Sequence, residues 1–274
     1  EGSEVYKKGG ISLSTGSTFD MYGGTITGFQ HGVSTDQVGG TIHLYGGTIT
    51  GNETVYGAGV FCWGSSSNPS TFIMYGGKIT NNHATYSGSD INVKPSGGGV
   101  FLREYSKFEM YGGEITGNTA TYGGGVYCGA IISSNTAEMI LHGGKITGNT
   151  ATYGGGVYFK DKAFQVTGKG KVTITDNTGN GGKNVVLFDG KTIQVTGKLH
   201  EETRIGVRSF HNPTDGNPIT IAKATDGGWI KKGNFTSDIP DYGIALSEDG
   251  KIVQLQTHQH SWEYIVSLDG ATIT

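Results

Sequence analysis

Residues 110–118 read MYGGEITGN, and close copies of this block recur along the chain. The copies are MYGGTITG from Met21, LYGGTITGN from Leu44, MYGGKITNN from Met74, LHGGKITGN from Leu141 and a degenerate GKVTITDN from Gly170. The isoleucines at the centres of the blocks stand at positions 26, 49, 79, 115, 146 and 174. A repeat of about 30 residues indicates a solenoid, in which each unit buries its apolar side by stacking on the next.

A second block follows each isoleucine and contributes the inward valines Val60, Val100, Val126, Val157 and Val185. Each repeat therefore predicts three short strands: Phe-x-Met before the Gly-Gly pair, x-Ile-Thr after it, and Gly-Val-aromatic. Apolar residues in these segments alternate, which is typical of β-strands and not of helices. The Gly-Gly pair adopts backbone angles that other residues resist, so it permits a corner at the same place in every coil.

Alternation also predicts which side chains face the interior. Besides the isoleucines and valines, we expect inward positions for Phe72, Met74, Phe108, Met110, Met139, Leu141, Cys62, Leu102, Cys128 and Phe159. An asparagine closes most blocks, at Asn52, Asn82, Asn118, Asn149 and Asn177. Buried amides need hydrogen-bond partners, so we expect an asparagine ladder at one corner, bonded to the backbone of neighbouring coils.

Cys62 and Cys128 fall in the same inward column, with the coil of Leu102 between them. Strand spacing puts equivalent positions two coils apart at roughly 9 to 10 Å. This separation exceeds the reach of a disulfide, about 7 Å between Cα atoms. The sequence therefore predicts two free, buried thiols that pack as small apolar groups.

The pattern M-Y-G-G-x-I-T-G-N followed by A-T-Y-G-G-G-V-Y resembles the parallel β-helix repeats of very large surface proteins of gut Firmicutes. It is similar, more loosely, to the Gly-Gly-x-Ile repeats of chlamydial polymorphic outer membrane proteins and to pectate-lyase-like folds. The resemblance covers about residues 10–200. It implies a secreted or cell-surface protein of a gut bacterium, and it says little about function because the fold hosts many roles.

We accordingly expect an all-β chain, a right-handed parallel β-helix of about seven three-strand coils, over residues 1–198. Residues 199–256 resemble the segment that often closes such helices, and are expected to form a β-rich C-terminal cap continuous with the helix. The repeat stops after Asn184, and PITIA and GKIVQLQ read as strands. Residues 257–274 are expected to be the truncated start of a following module.

Enzymes of the β-helix type that act on polysaccharides need clustered carboxylates with basic side chains nearby. Arginine is scarce, and only Arg103 lies in the repeats. Four acidic residues are the best grouping for glycoside hydrolysis, which needs paired carboxylates about 5 to 9 Å apart: Asp90, Glu104, Glu109 and Glu114. The alternative is solvated charges on outward positions. We expect no catalytic residue, no metal and no other cofactor, and a polysaccharide lyase or glycoside hydrolase remains the alternative function.

Aromatic residues provide the candidate binding site. Outward positions beside the inward valines hold Phe61, Phe101, Tyr127 and Tyr158, and Trp63 and Arg103 stand two positions after Phe61 and Phe101. Exposed apolar patches mark contact sites, and Arg103 suits hydroxyl or carboxylate groups, so we expect these six residues to bind a ligand. The insertion SGSDINVKPS, residues 87–96, is expected to wall a groove beside Trp63 and Arg103. Stacking that only stabilises neighbouring strands is the alternative.

Two further tyrosine columns follow from the repeat. One occupies the Gly-Gly corner, with Tyr22, Tyr45, Tyr75 and Tyr111. The other precedes the Gly-Val strand, with Tyr56, Tyr86, Tyr122 and Tyr153.

The 274-residue chain has a formal net charge of −3 and no basic run, so a nucleic acid is not an expected partner. No stretch approaches 18 apolar residues, so no membrane span is expected. We expect a monomeric, extracellular, non-enzymatic module of a bacterial cell-surface protein. It is either an adhesin-like stalk or a segment that binds a glycan or a host or cell-surface protein. A purely structural spacer is the second alternative.

Overall fold

The computed structural model of the protein describes residues 9–36, 39–130 and 136–257. The described residues form β-strands and no helix. Most of these strands are short, and within the repeats each pairs in parallel with the equivalent strand of the next repeat. The fold is therefore all-β and solenoid-like, built from long stacks of parallel strands, as the repeat predicts.

The Phe-x-Met strands form the first stack, here called the Met stack. Its parallel strands are Thr18–Met21, Gly40–Leu44, Ser70–Met74, Ser106–Met110, Glu138–Leu141, Ala163–Thr167, Ile193–Lys198 and Ile219–Trp229. Two antiparallel strands, Ile252–Thr257 and Tyr242–Leu246, complete the sheet at its C-terminal end.

The other two predicted strands form the Ile stack and the Val stack. The Ile stack comprises Thr25–Thr27, Thr48–Thr50, Lys78–Thr80, Glu114–Thr116, Gly144–Thr147 and Val172–Thr175. The Val stack comprises Ile11–Ser12, Val33–Ser34, Val60–Cys62, Val100–Leu102, Val126–Cys128, Val157–Phe159 and Val185–Leu187. The predicted isoleucine register is confirmed, because Ile79 pairs with Ile49 on one side and Ile115 on the other.

A fourth stack of short strands lies between the Ile stack and the Val stack. It comprises Glu53–Thr54, His83–Ala84, Thr119–Tyr122 and Thr150–Tyr153. The prediction of three strands per coil is therefore wrong for these four coils. The Thr-Ala-Thr-Tyr segments carry few buried apolar residues, so hydrophobic alternation gave no sign of them, and their pairing comes from backbone hydrogen bonds between coils.

The interior is filled by the predicted inward residues. The isoleucines Ile49, Ile79, Ile115, Ile146 and Ile174 are each at most 1% exposed, and Phe72, Met74, Phe108 and Met110 are equally buried. Phe72 stacks on Phe108 with ring centroids 4.9 Å apart. Like side chains thus lie above like, and each coil buries its apolar face against its neighbours.

The asparagine ladder is confirmed. In each rung the backbone N–H and the side-chain Nδ2 of one asparagine both donate to Oδ1 of the next, at 2.9 to 3.1 Å. Nδ2 also donates to the isoleucine carbonyl of the preceding coil, as from Asn118 to Ile79 at 2.9 Å. The ladder extends past the predicted residues, because Asn177 donates to Asn184 and Asn184 donates to Asp238.

Both cysteines are free and buried, as predicted. Leu102 pairs with Cys62 on one side and with Cys128 on the other, which confirms that one coil separates them. Burial in an apolar column raises the pKa of both thiols above the ordinary value. The two thiols therefore stay protonated and act as core side chains.

The strand Arg204–Ser209 joins two stacks beyond the last repeat. Its first part pairs with the end of the Ile stack, through Ile205 and Ile174, and its second part pairs with the end of the Val stack, through Val207 and Val185. Phe235–Ser237 then pairs with this strand. These strands lie within the predicted cap, 199–256, whose boundaries stay a prediction. The predicted following module begins at Thr257, and residues 258–274 lie outside the described residues.

Candidate functional site

The four predicted outward aromatic residues form one continuous column. Phe61, Phe101, Tyr127 and Tyr158 are successive Cα partners in the Val stack. Their ring centroids are 5.5, 4.8 and 5.7 Å apart in turn, and each pair is stacked. The expectation that these rings present an exposed face is wrong, because they are only 6, 1, 7 and 5% exposed.

The cover over this column comes from the fourth stack, which the sequence did not predict. Tyr56, Tyr122 and Tyr153 pack against the column from that side, and Val186 and Phe188 extend the cluster. Tyr122 meets Tyr158 edge-on, with centroids 5.1 Å apart. The rings outside the main core thus form a second apolar cluster, and their faces are occupied by one another.

Trp63 and Arg103 contact each other. The Arg103 guanidinium lies over the Trp63 ring, 3.7 Å from its centroid, and Arg103 Nε is 2.7 Å from Glu104 Oε2. Both side chains are partly buried, and Glu104 is 4% exposed. The guanidinium is therefore already engaged in a cation–π contact and an ion pair at the corner after the strand Val100–Leu102.

The insertion in the third coil interrupts the tyrosine cover. Ser96 forms parallel bridges with both Tyr56 and Tyr122, so a serine occupies the place that Tyr86 was predicted to hold. Tyr86 lies outside the column and is 40% exposed. The backbone returns to register at Pro95 and Ser96, where the Pro95 carbonyl accepts from Tyr122 N–H. Tyr56 lies 5.6 Å from Phe101 and Tyr122 lies 5.1 Å from Tyr158, centroid to centroid, so the ring missing from the cover is the one that would lie over Tyr127.

A groove of about 410 Å³ opens at this missing ring. Its floor is formed by Phe101, Tyr127 and Tyr158, and Tyr56 and Tyr122 line its sides. The remaining lining residues are Asn92, Lys94, Ser96, Lys160 and Phe188. The predicted groove wall from the insertion is therefore present, but it stands over Phe101 and Tyr127, and Trp63 and Arg103 do not line the groove.

The groove combines apolar surface with neutral hydrogen-bonding groups. Burial raises the pKa of Tyr158 to about 12 and that of Tyr127 further, so both phenols stay protonated at neutral pH and are able to donate hydrogen bonds. Asn92 and Lys94 come from the exposed insertion, and Ile91 at its tip is 80% exposed. A volume of this size, with aromatic walls and few polar groups, is typical of a small-ligand site.

The four acidic residues named from the sequence each have separate neighbours. Asp90 accepts from Asn92, Glu104 contacts Arg103, and Glu114 lies between Lys78 and Lys145. Glu109 contacts Lys107, Tyr111 and His142. Burial alone would raise the pKa of Glu109, but hydrogen bonds from Lys107, Tyr111 and His142 hold it below the ordinary value. In the described ranges, no group of three or more His, Cys, Asp or Glu side chains is placed to hold a metal ion.

The corner tyrosines form a second aromatic column, and this one is exposed. Tyr22, Tyr45, Tyr75 and Tyr111 are 72, 39, 43 and 40% exposed, and the column ends on His142, which stacks on Tyr111 at 4.1 Å. Successive tyrosine centroids are 4.7 to 5.3 Å apart with nearly parallel planes. The faces between successive rings are therefore used within the column, and the Tyr111 hydroxyl donates to Glu109.

No helix among the described residues is long and apolar enough to span a membrane. A scan against protein-family models, a search of curated proteins and a search of solved structures each return no match for this chain.

Proposed function

We propose that this chain is a non-enzymatic, adhesin-like module of a bacterial cell-surface protein that binds a glycan in the groove above Tyr127. The observation that carries the proposal is the replacement of a covering tyrosine by Ser96. This replacement opens an aromatic groove at one coil of an otherwise closed column. Binding residues often lie on loops that a rigid scaffold holds in place, and here the insertion is such a loop on a stack of regular coils.

The chemistry of the groove suits a saccharide. Sugars offer C–H surface that packs on aromatic side chains, and hydroxyl groups that need hydrogen-bond partners. The groove offers the aromatic side chain of Tyr127 to the C–H surface, and the Tyr158 hydroxyl and the Asn92 amide to the hydroxyl groups. Affinity for one glycan is expected to be weak, and display of many copies on a cell surface raises the avidity.

The scaffold supports the stalk part of the proposal. We infer a right-handed parallel β-helix, because crossovers between parallel strands of one sheet are nearly always right-handed. The location on a bacterial surface rests on the resemblance of the repeat to surface-protein repeats. A rigid ladder that runs from Asn52 to Asp238 suits a molecule that holds a binding site away from a surface.

Two measurements test this function against its two alternatives. The protein is applied to a glycan array, and the saccharides are analysed afterwards for cleavage. We expect retention of a subset of glycans without any new reducing ends. Cleavage that is lost in Glu109→Gln or Asp90→Asn would establish the polysaccharide-active enzyme instead. Failure to retain any glycan would support the structural spacer and contradict the proposal.

A further inference from the structure

The charged side chains that line the groove are both basic. Lys94 enters from the insertion and Lys160 from the segment after the strand Val157–Phe159, and the described residues that line the groove include no carboxylate. Within residues 9–36, 39–130 and 136–257, neither lysine has an ion-pair partner. The chain as a whole carries a formal charge of −3, so this positive charge is a local property of the groove.

The acidic residue next in sequence to Lys160 is committed elsewhere. Asp161 is fully buried, and its carboxylate accepts backbone N–H groups of Ala130, Thr136, Ala137 and Lys162 at 2.6 to 3.1 Å. Its oxygens are therefore used by these backbone groups, and it forms no ion pair with Lys160 within the described residues.

Lys160 has a defined position over the groove floor. Its Nζ lies 5.7 Å from the centroid of the Tyr127 ring. Its stem passes over Gly129, where a Cβ would come within 2.6 Å of Lys160 Cγ and Cε. A larger residue at position 129 would push the stem away, so the glycine and the ring together direct the ammonium toward the groove.

We propose that the groove selects an anionic saccharide, whose carboxylate or sulfate group lies between Lys94 and Lys160 while its ring packs against Tyr127. This inference rests on the proposed function and narrows its ligand class. An anion gains charge-assisted hydrogen bonds from both ammonium groups.

The test measures binding by titration calorimetry with matched pairs of saccharides. One pair is a tetrasaccharide of alternating glucuronate and N-acetylglucosamine, and the same molecule after reduction of its carboxylates to glucose. The second pair is a 6-sulfated N-acetyllactosamine and its unsulfated parent. The two pairs separate a preference for carboxylate from a preference for sulfate.

We expect the acidic member of at least one pair to bind about tenfold or more tightly than its neutral counterpart, and to weaken as salt is raised. Lys160→Met should reduce this preference about tenfold, and Lys94→Met should reduce it less, because Lys94 is exposed to solvent. Lys78→Met removes the same charge on the Ile stack and should leave binding unchanged. Gly129→Ala, which keeps both charges, should weaken binding of the acidic member by displacing the Lys160 stem.

Equal binding of acidic and neutral members, unaffected by the lysine substitutions, would overturn this inference and leave the proposed function standing. Binding to neither member of either pair, from a chain that retains neutral glycans on an array, would also overturn it. Retention of no glycan at all would contradict the proposed function itself.

Discussion

Asn184 donates two hydrogen bonds to Asp238, from its backbone N–H to Oδ2 at 2.7 Å and from Nδ2 to Oδ1 at 2.6 Å. The residues are 54 positions apart in sequence, and the pair ends the asparagine ladder at the C-terminal side. Each earlier rung ends on an amide oxygen, and the last one ends on a carboxylate. The strand Phe235–Ser237 brings Asp238 to this position by pairing with Arg204–Ser209.

The first prediction concerns this end of the ladder. Asp238→Ala removes both acceptors and leaves two buried donors of Asn184 without partners, so it should lower the free energy of unfolding by about 1 to 3 kcal/mol. Asp238→Asn keeps one oxygen that accepts both donors, as every other rung does, and should cost less. Urea unfolding followed by circular dichroism measures the free energy of unfolding of both variants. An equal loss in the two variants would show that the Asp238 acceptor does not contribute to the ladder.

The second prediction concerns the charge on Asp238. Burial raises the pKa of Asp238 above 3.8, although hydrogen bonds from Asn184 oppose the shift. The folded chain then binds a proton more readily than the unfolded chain, so this residue favours folding at low pH and loses that contribution as pH rises through the folded pKa. Relative to Asp238→Asn, the wild type should lose stability from pH 3 to pH 7. A difference between the two chains that stays constant with pH would contradict this.

The third prediction concerns the middle of the ladder. Asn118→Ala removes the acceptor of Asn82 and the donor to the Ile79 carbonyl, and it should destabilise the fold by about 2 kcal/mol or more. Asn68→Ala is the matched control, because Asn68 lies exposed in a loop and should change stability by less than about 0.5 kcal/mol. Similar midpoints of urea unfolding for the two variants would argue against a structural role for the ladder.

The fourth prediction concerns the thiols. Cys62 and Cys128 are fully buried, and burial raises the pKa of each, so a thiol reagent should label neither in the folded chain at pH 8. Unreduced chain in denaturant should give two labelled thiols by mass spectrometry. Rapid labelling of the folded chain would contradict the burial, and absence of label in denaturant would indicate a disulfide.

The main features of the scaffold could be predicted from the sequence because each of them depends on residues within one repeat. The inward isoleucines and the asparagine column recur at fixed places in each block, and stacking converts that recurrence directly into register. The candidate site depends on information that is not local. Tyr56 covers Phe101 and Tyr122 covers Tyr158, and the strands of the fourth stack have no apolar alternation that would reveal this cover.

The insertion shows the same limit. The repeat pattern in the sequence predicts that Tyr86 belongs to the tyrosine column. In the structure, however, Ser96 forms the backbone bridges to Tyr56 and Tyr122, so Ser96 takes that position in the column. Likewise, Trp63 and Arg103 are correctly placed at the strand ends, but their contact with each other and with Glu104 directs them away from the groove. A signal was available in Pro95, since proline marks turns and loops and stands here just before the Gly-Val strand.

The most direct test of the central claim restores the missing ring. Ser96 lies between Tyr56 and Tyr122 in register, so Ser96→Tyr should fill the groove while the chain keeps its fold, checked by circular dichroism and thermal melting. Ser66→Tyr, on an exposed loop, is the control. For a glycan that the wild type retains on an array, we predict a dissociation constant at least tenfold higher for Ser96→Tyr and unchanged for Ser66→Tyr. Equal affinity of folded Ser96→Tyr and wild type would contradict the claim that this groove is the binding site.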